Sequence, residues 1–341
     1  MDGFTYKVGI IGCGRIASEF EDDPSREHPC THAGAYFAVS QTKMECASDI
    51  DKSKLEKFSK RWGVHRLYTD YKEMLSREKL DIVSVCTSPE THSQITIDAA
   101  KSGVKAIFCE KPMATSTAEA RKMVEICKKH GVQLTVNHYR RWDTNYKKIK
   151  GILAKKELGE IAKIAGCYTS GLFAVGTHMI DLLVYFCGEV DKVVGAKEET
   201  KGVHSLWYSE NYSPADPPVN GILWFKNGVI GHLLASCKTQ TPFFDIEIFA
   251  TCGRIHISEW WVLKNLFEVY KFKGGKIPKL RLQKRMISRR TTTRLFAVED
   301  IVSSLRENRP TLSSGEDALQ TMMVIDALIK SSKTNTPIKV G

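Results

Sequence analysis

The stretch Lys7-Val8-Gly9-Ile10-Ile11-Gly12-Cys13-Gly14-Arg15-Ile16-Ala17 reads as a short apolar strand, a tight glycine turn and the start of a helix. Gly12-x-Gly14-x-x-Ala17 fits G-x-G-x-x-[G/A]. In that pattern the glycines admit the turn and the close backbone approach of a pyrophosphate, and the small third residue lets helix and strand pack. The helix N-terminus offers donors and partial positive charge. Such a match carries weight only after the first strand of a βαβ unit. That context is present: apolar runs at 44–48, 81–86, 105–109 and 132–136 alternate with helical patterns at 52–61, 71–77, 92–102 and 117–130. Strands alternating with helices predict a doubly wound parallel α/β domain over residues 1–140.

The carboxylate that binds an adenosine ribose is expected about 20 residues after the glycine turn, at the end of the second strand. Asp49 ends that strand but stands 35 residues beyond Gly14. The polar stretch 21–33 accounts for the excess and reads as an insertion between the first helix turn and the second strand. A negative Asp49 beside Ile50 favours a free 2′-hydroxyl, hence NAD over NADP, although Lys52 and Lys54 lie close. Within the insertion His28, Cys30 and His32 occupy alternate positions. No fourth ligand is apparent in the sequence, so no metal is expected there.

From 141 to 341 the texture changes. Residues 160–169, 219–226, 229–237, 244–250, 254–258 and 262–272 alternate apolar and polar positions, with Asn227-Gly228 and Gly274-Gly275 as hairpin turns. This predicts a second, α+β domain with a large, mostly antiparallel open sheet. Helices are expected near 176–187, 296–307 and 316–331, the last opened by Ser313 or Ser314 as N-cap and carrying Leu319, Met322, Met323, Ile325 and Leu328 as a core stripe. The C-terminal helices are candidates to pack back on the first domain. The loop 203–218, with Pro214, Pro217 and Pro218, reads as a surface segment.

At 341 residues the chain has room for two domains. Apolar residues at 42% and charged residues at 26% are ordinary globular values, and no run of about 18 apolar residues could span a bilayer. The N-terminus has no basic and apolar leader, and the ten cysteines are scattered without a C-x-x-C pair. They read as small buried hydrophobes in a cytoplasmic protein. The net charge of +11 invites a nucleic-acid reading, but residues 271–294 alone hold ten Lys and Arg and no acid, leaving +1 for the rest. That segment is a solvated hairpin extension, an anion-recognition arm for a phosphorylated or nucleotide-linked sugar, or a nucleic-acid or membrane contact. Only Phe272 interrupts the run, which argues against a stacking platform for single strands.

Glu110-Lys111-Pro112 follows the strand 105–109. It occurs in order with the glycine turn, with Cys86-Thr87-Ser88-Pro89-Glu90-Thr91-His92, with Phe296-Ala297-Val298-Glu299-Asp300 and with Ser314-Gly315-Glu316-Asp317-Ala318-Leu319. The chain thereby resembles, over nearly its whole length, the glucose–fructose oxidoreductase / inositol dehydrogenase / rhizopine-catabolism (Gfo/Idh/MocA) family. The resemblance implies an N-terminal Rossmann domain that binds a nicotinamide cofactor. Its contacts would come from Gly12, Cys13, Gly14, Arg15, Ile16, Asp49, Thr87, Ser88, Pro89, His92, Glu110, Lys111 and Asn137. It implies a C-terminal sheet that forms the substrate pocket and an oligomer face, giving a homodimer or homotetramer. Substrate contacts would come from Lys111, Arg140, His178 and Asp181.

By position, Lys111 matches the lysine that holds the substrate hydroxyl and helps move its proton. A lysine suits the task because its pKa shifts readily in a desolvated site. In Gly171-Leu172-Phe173-Ala174-Val175-Gly176-Thr177-His178-Met179-Ile180-Asp181, His178 and Asp181 fit the second catalytic element, whereas Ala174 replaces its aspartate. His178 is expected in the first turn of a helix, facing the positive end of its dipole, with Asp181 and Tyr185 on the same face. Asn137 and Arg140 are expected to face cofactor or substrate. Arg141 and Trp142 either join them or form an exposed linker. The implied function is NAD-dependent oxidation of a secondary hydroxyl of a sugar, cyclitol or sugar derivative. The alternatives are a redox-assisted glycoside-modifying enzyme that recycles NAD, and a non-catalytic nicotinamide-liganded binding protein.

Overall fold

The computed structural model describes residues 5–199, 216–239, 241–259, 265–274, 279–288 and 292–341. The chain divides into two compact units, Met1–Trp142 with Thr291–Leu319 and Asp143–Arg290 with Gln320–Gly341.

The first unit holds a six-stranded sheet of β1 (Tyr6–Ile11), β2 (Thr42–Ser48), β3 (Arg66–Tyr68), β4 (Ile82–Val85), β5 (Ala106–Cys109) and β6 (Gln133–Val136). Its order is β3-β2-β1-β4-β5-β6 and every pairing is parallel. β4 and β5 are buried along their whole length, because helices cover both faces of such a sheet and leave no position for a polar alternation. The connecting helices are α1 (His32–Ala38), α2 (Lys52–Trp62), α3 (Tyr71–Arg77), α4 (Pro89–Lys101) and α5 (Thr117–Lys129). Side chains of Thr31, Asp51, Asp70 and Ser116 cap α1, α2, α3 and α5 by accepting a backbone N–H of the first turn.

The insertion stands between the first helix turn and β2, as read from the sequence. The backbone makes a single turn, with Ser18 N donating to Gly14 O at 3.0 Å, then a 3₁₀ turn at Glu19–Asp22, and a true helix begins only at His32. His32 N donates to Ile16 O at 3.2 Å and Ala33 N to Ala17 O at 3.0 Å, so the helix resumes on the carbonyls where it stopped. The insertion is therefore an excursion spliced into the first helix.

The second unit holds α6 (Thr144–Ala154), β7 (Ile161–Thr169), α7 (Thr177–Cys187), β8 (Val190–Lys197), β9 (Val219–Phe225), β10 (Ile230–Ser236), β11 (Phe244–Ala250), β12 (Gly253–Glu259), β13 (Asn265–Lys273) and β14 (Lys279–Ser288). After α8 (Thr293–Glu307) in the first unit come α9 (Gly315–Thr334) and β15 (Ile338–Lys339). The nine-stranded sheet runs β14-β13-β12-β11-β7-β10-β9-β8-β15, antiparallel throughout except for the parallel β7–β10 pair. Alternation in β11, where Phe244, Ile246 and Ile248 are fully buried, sends one face to the core. α6, β3, β8 and β15 have no counterpart in the sequence reading, whereas β14 is the returning arm of the hairpin extension offered as one reading of 271–294.

α8 completes the first unit's core: Ala297, Val298, Ile301 and Val302 pack in one cluster with Val8, Ile10, Tyr36, Phe108 and Trp142. Ser314 is the residue that opens α9, in a reciprocal cap with Asp317 (3.1 Å each from backbone N to side chain). All ten cysteines are free thiols, and only Cys252 is exposed. The basic segment runs from the end of β13 through β14, the edge strand of the large sheet, to the start of α8. Arg285 is already committed to Glu268 on β13 at 2.6 Å. Charged side chains on an edge strand prevent further strand pairing, which gives Lys279, Arg281 and Lys284 a role that needs no anion. Lys276, Arg289, Arg290 and the turn residue Gly275 lie outside the described residues, as does most of the loop 203–218.

Candidate active site

In the order 3-2-1-4-5-6 the chain leaves β1 and β4 in opposite directions, and ligands of such sheets bind in the crevice outside the carboxyl ends at that point. The expected cofactor residues stand there because each follows a strand: the glycine turn after β1, Asp49 after β2, Thr87 to Pro89 after β4, Glu110 and Lys111 after β5, Asn137 after β6.

Gly12 has φ +89°, and a Cβ on it would stand 2.8 Å from the Cys86 carbonyl, so only glycine fits between β1 and β4. A Cβ on Gly14 would meet nothing within 4 Å, so the turn's outer side is open for a phosphate to approach the backbone. Asp49 is tied to the turn: Oδ2 accepts Cys13 N at 2.7 Å and Oδ1 accepts Asp51 N at 2.9 Å. Each oxygen keeps a further lone pair for a ribose hydroxyl. Arg15 is exposed and reaches over the Phe20 ring at 4.8 Å. Cys13 is buried, which pushes its thiol far up and leaves it inert. His92 does not face a ligand. It is fully buried, its ring nitrogens lying 2.9 Å from Pro112 O and 3.0 Å from Thr87 O, so it clamps the β4 loop to the turn that carries Lys111.

Behind Lys111 lies a buried polar network. Glu110 Oε1 is 2.9 Å from His32 Nε2 and accepts Asn137 Nδ2 at 2.5 Å, while Glu110 Oε2 accepts Lys111 N at 3.2 Å. His32 Nδ1 is 3.0 Å from Ser84 Oγ, which is also 3.0 Å from the Tyr36 hydroxyl. Burial alone would raise the Glu110 carboxyl. The hydrogen bond from His32, then Arg294 and the Asn137 amide, outweigh it and hold the carboxyl well below its ordinary range. Burial pushes the His32 imidazole below its ordinary 6.5 despite Glu110. A neutral ring that donates Nε2–H to an ionised Glu110 and accepts from Ser84 satisfies both. Asn137 Oδ1 is buried with no protein partner among the described residues, an acceptor that a bound cofactor's amide donor would satisfy.

Both groups bind fewer protons folded than unfolded, so stability is complete above about pH 6.5 and falls below it. First the unfolded His32 takes a proton that the folded one refuses; below 4.5 the unfolded Glu110 does the same, until pH reaches its depressed folded value. The expected slope is up to about 1.4 kcal/mol per pH unit per proton. Thermal unfolding followed from pH 8 to 5 should show it, and His32→Gln should flatten it. An unchanged slope in that variant would remove the pair as the source.

The turn 137–142 is buried rather than an exposed linker. Arg141 Nη1 donates to Leu312 O at 3.1 Å and pairs with Asp317 at 3.0 Å, and Trp142 Nε1 donates to Asp300 at 2.9 Å. Arg140 is buried with its guanidinium 4.7 Å from the Tyr139 ring. All of these contacts lie within the first unit.

In the second unit His178 and Asp181 are both buried on α7. His178 is the second residue of α7 and so lies in its first turn, as the sequence reading expected. A wide turn at Leu172–Gly176 precedes α7, and its leading amides are taken by Asp216, Phe173 N to Oδ1 at 2.7 Å and Ala174 N to Oδ2 at 2.8 Å. Asp216 thus supplies a carboxylate beside the residue where the family pattern has its own. No local signal could have shown this, since 42 residues separate it from Ala174. The pairing of His32 with Glu110, 78 positions apart, was hidden for the same reason.

Residues 6–138 match the oxidoreductase family with an NAD-binding Rossmann fold, and residues 168–256 match the GFO/IDH/MocA C-terminal domain. The chain is 25% identical to a myo-inositol 2-dehydrogenase of Thermotoga maritima, with 98% of each chain covered. It is 23% identical to a D-glucoside 3-dehydrogenase of Escherichia coli over 100% of this chain and 99% of the other. A solved NAD-binding oxidoreductase of Klebsiella pneumoniae superposes with a TM-score of 0.83 at 17% identity, covering 99% of each chain, which establishes the likeness of fold.

Proposed function

Because the chain belongs to the Gfo/Idh/MocA family of NAD-binding oxidoreductases, we propose that it oxidises a secondary hydroxyl of a sugar, cyclitol or sugar derivative with NAD. The observation that carries this reading is Lys111 at the carboxyl end of β5, held by the turn that Glu110 and His92 anchor from beneath. Bound NAD would supply the hydride acceptor. The Gly12–Gly14 turn would hold its pyrophosphate and Asp49 its ribose hydroxyls. Lys111 would bind the substrate hydroxyl and remove its proton as the carbinol carbon is oxidised. His178 is the proposed second proton-handling group, and its alanine variant tests that role on its own. Assembly as a dimer or tetramer through the C-terminal sheet belongs to the same reading and is checked by light scattering.

Purified protein given NAD and a panel of sugars, cyclitols, sugar phosphates and nucleotide sugars should form reduced nicotinamide with one of them; no turnover on any class would sink the proposal. Asp49→Ser should raise the KM for NAD by roughly 10–150-fold, the equivalent of about 1.5–3 kcal/mol for a hydrogen bond to a charged group. It should also narrow the preference over NADP, because it removes the negative charge that repels a 2′-phosphate. A KM for NAD unchanged in this variant would contradict the ribose assignment.

A further inference from the structure

The excursion spliced into the first helix brings three donors of different chemistry to one place. Glu21 Oε2 is 2.6 Å from His28 Nδ1, Cys30 Sγ is 3.7 Å from the same nitrogen, and all three ligand atoms lie within 4.8 Å of one another. We propose that Glu21, His28 and Cys30 bind one divalent cation of the zinc class, which clips the excursion shut.

The spacing fits such an ion. Zinc bonds of about 2.0–2.2 Å to nitrogen and oxygen and about 2.3 Å to sulfur place tetrahedral ligand atoms roughly 3.3–3.6 Å apart. The Cys30–His28 separation already has that size. The His28–Glu21 pair needs to open by somewhat more than half an ångström, as the cation replaces the proton those two groups share. One thiolate, one imidazole and one carboxylate form a mixed set that suits zinc or cobalt and not magnesium or calcium, which take oxygen ligands.

The carboxylate is also oriented in advance. Glu21 Oε1 accepts Cys30 N at 2.8 Å, Thr31 N at 2.9 Å and the Thr31 hydroxyl at 2.8 Å, which turns Oε2 toward His28. Gly34 makes room for this, since a Cβ there would collide with Glu21 Oε1. The His28 side chain is 41% exposed, so an ion can enter and water can complete its coordination; Phe20 O, 3.1 Å from Cys30 Sγ, is a second oxygen within reach. Nearby Arg26 is paired with Asp23 at 2.9 Å, and Arg294 donates to Cys30 O at 2.8 Å. The sequence alone placed His32 with His28 and Cys30. In the fold His32 belongs to Glu110, and Glu21 takes its place as third donor. An ion here would fix the segment from which His32 emerges.

The full chain, treated with a chelator and exchanged into metal-free buffer, is titrated with zinc chloride by calorimetry and with cobalt chloride by absorbance. One equivalent should bind, the cobalt form should show a thiolate-to-metal charge-transfer band, and the unfolding temperature should rise with zinc. Cys30→Ser should abolish the band. Both it and His28→Gln should weaken zinc by at least the roughly 10–100-fold that loss of even an outer partner costs. Cys252→Ser, at the exposed thiol, should change nothing. His28 is exposed enough for its variant to keep the fold, and NAD binding confirms this for each protein. Absence of stoichiometric binding, a cobalt band that survives Cys30→Ser, or zinc affinity unchanged in His28→Gln overturns the site.

Discussion

Lys111→Met should lower kcat by about 10²–10⁴-fold, the range contributed by a positioned proton-transfer group, while NAD still binds. The prediction separates chemistry from architecture because Lys111→Met leaves in place the backbone contacts that anchor the turn at the end of β5. Glu110 accepts the Lys111 backbone N–H, and Pro112 O lies on His92. Methionine keeps the length of the stem and removes the ammonium, so the unfolding temperature should stay near that of the parent. The KM for NAD should move little, since the glycine turn and Asp49 are untouched. Stopped-flow measurement of reduced-nicotinamide formation reads the step directly, and partial recovery of rate on adding small primary amines would identify the missing group as a proton acceptor. A rate within a few-fold of the parent would show that another residue takes the proton.

Glu110→Ala should be the most destabilising single change in the first unit. It strands two buried donors, His32 Nε2–H and Asn137 Nδ2, at about 1–3 kcal/mol each, and opens a cavity beneath β5. A loss of several kcal/mol corresponds to a fall in melting temperature of the order of 10 °C for a unit of this size. Glu110→Gln, which keeps the volume and one acceptor, should cost less. The coupling is measurable because the partners touch: the double variant with His32→Ala should lose at least about 0.5 kcal/mol less than the sum of the singles. Strict additivity would mean that the pair does not act as a unit.

The fold was legible where its causes are local. A glycine turn after an apolar strand, Asn227-Gly228 with Gly228 at φ +87°, and Ser314 ahead of Asp317 are each dictated by the conformations a few adjacent residues allow. β14 was legible only as one of three readings of the basic segment, because an edge strand exposed to solvent alternates charge with apolar side chains and carries no core signal. The continuation of the first helix at His32–Ala38 went unread because its pattern is broken by fourteen residues, 18–31, and rejoined by hydrogen bonds that no window of sequence contains.

The sequence by itself therefore determined the two-part α/β and α+β plan, the glycine turn after β1 and the places of Asp49 and Glu110-Lys111-Pro112 at strand ends, since propensity, periodicity and motif spacing act over short stretches. Only the tertiary structure decided which groups meet. Glu110 finds His32 78 positions away, Asp216 arrives at Ala174 from 42 positions on, and Glu21 rather than His32 joins His28 and Cys30. Buried polar groups must find partners wherever the packed chain puts them, and those pairings follow from the packing of whole elements.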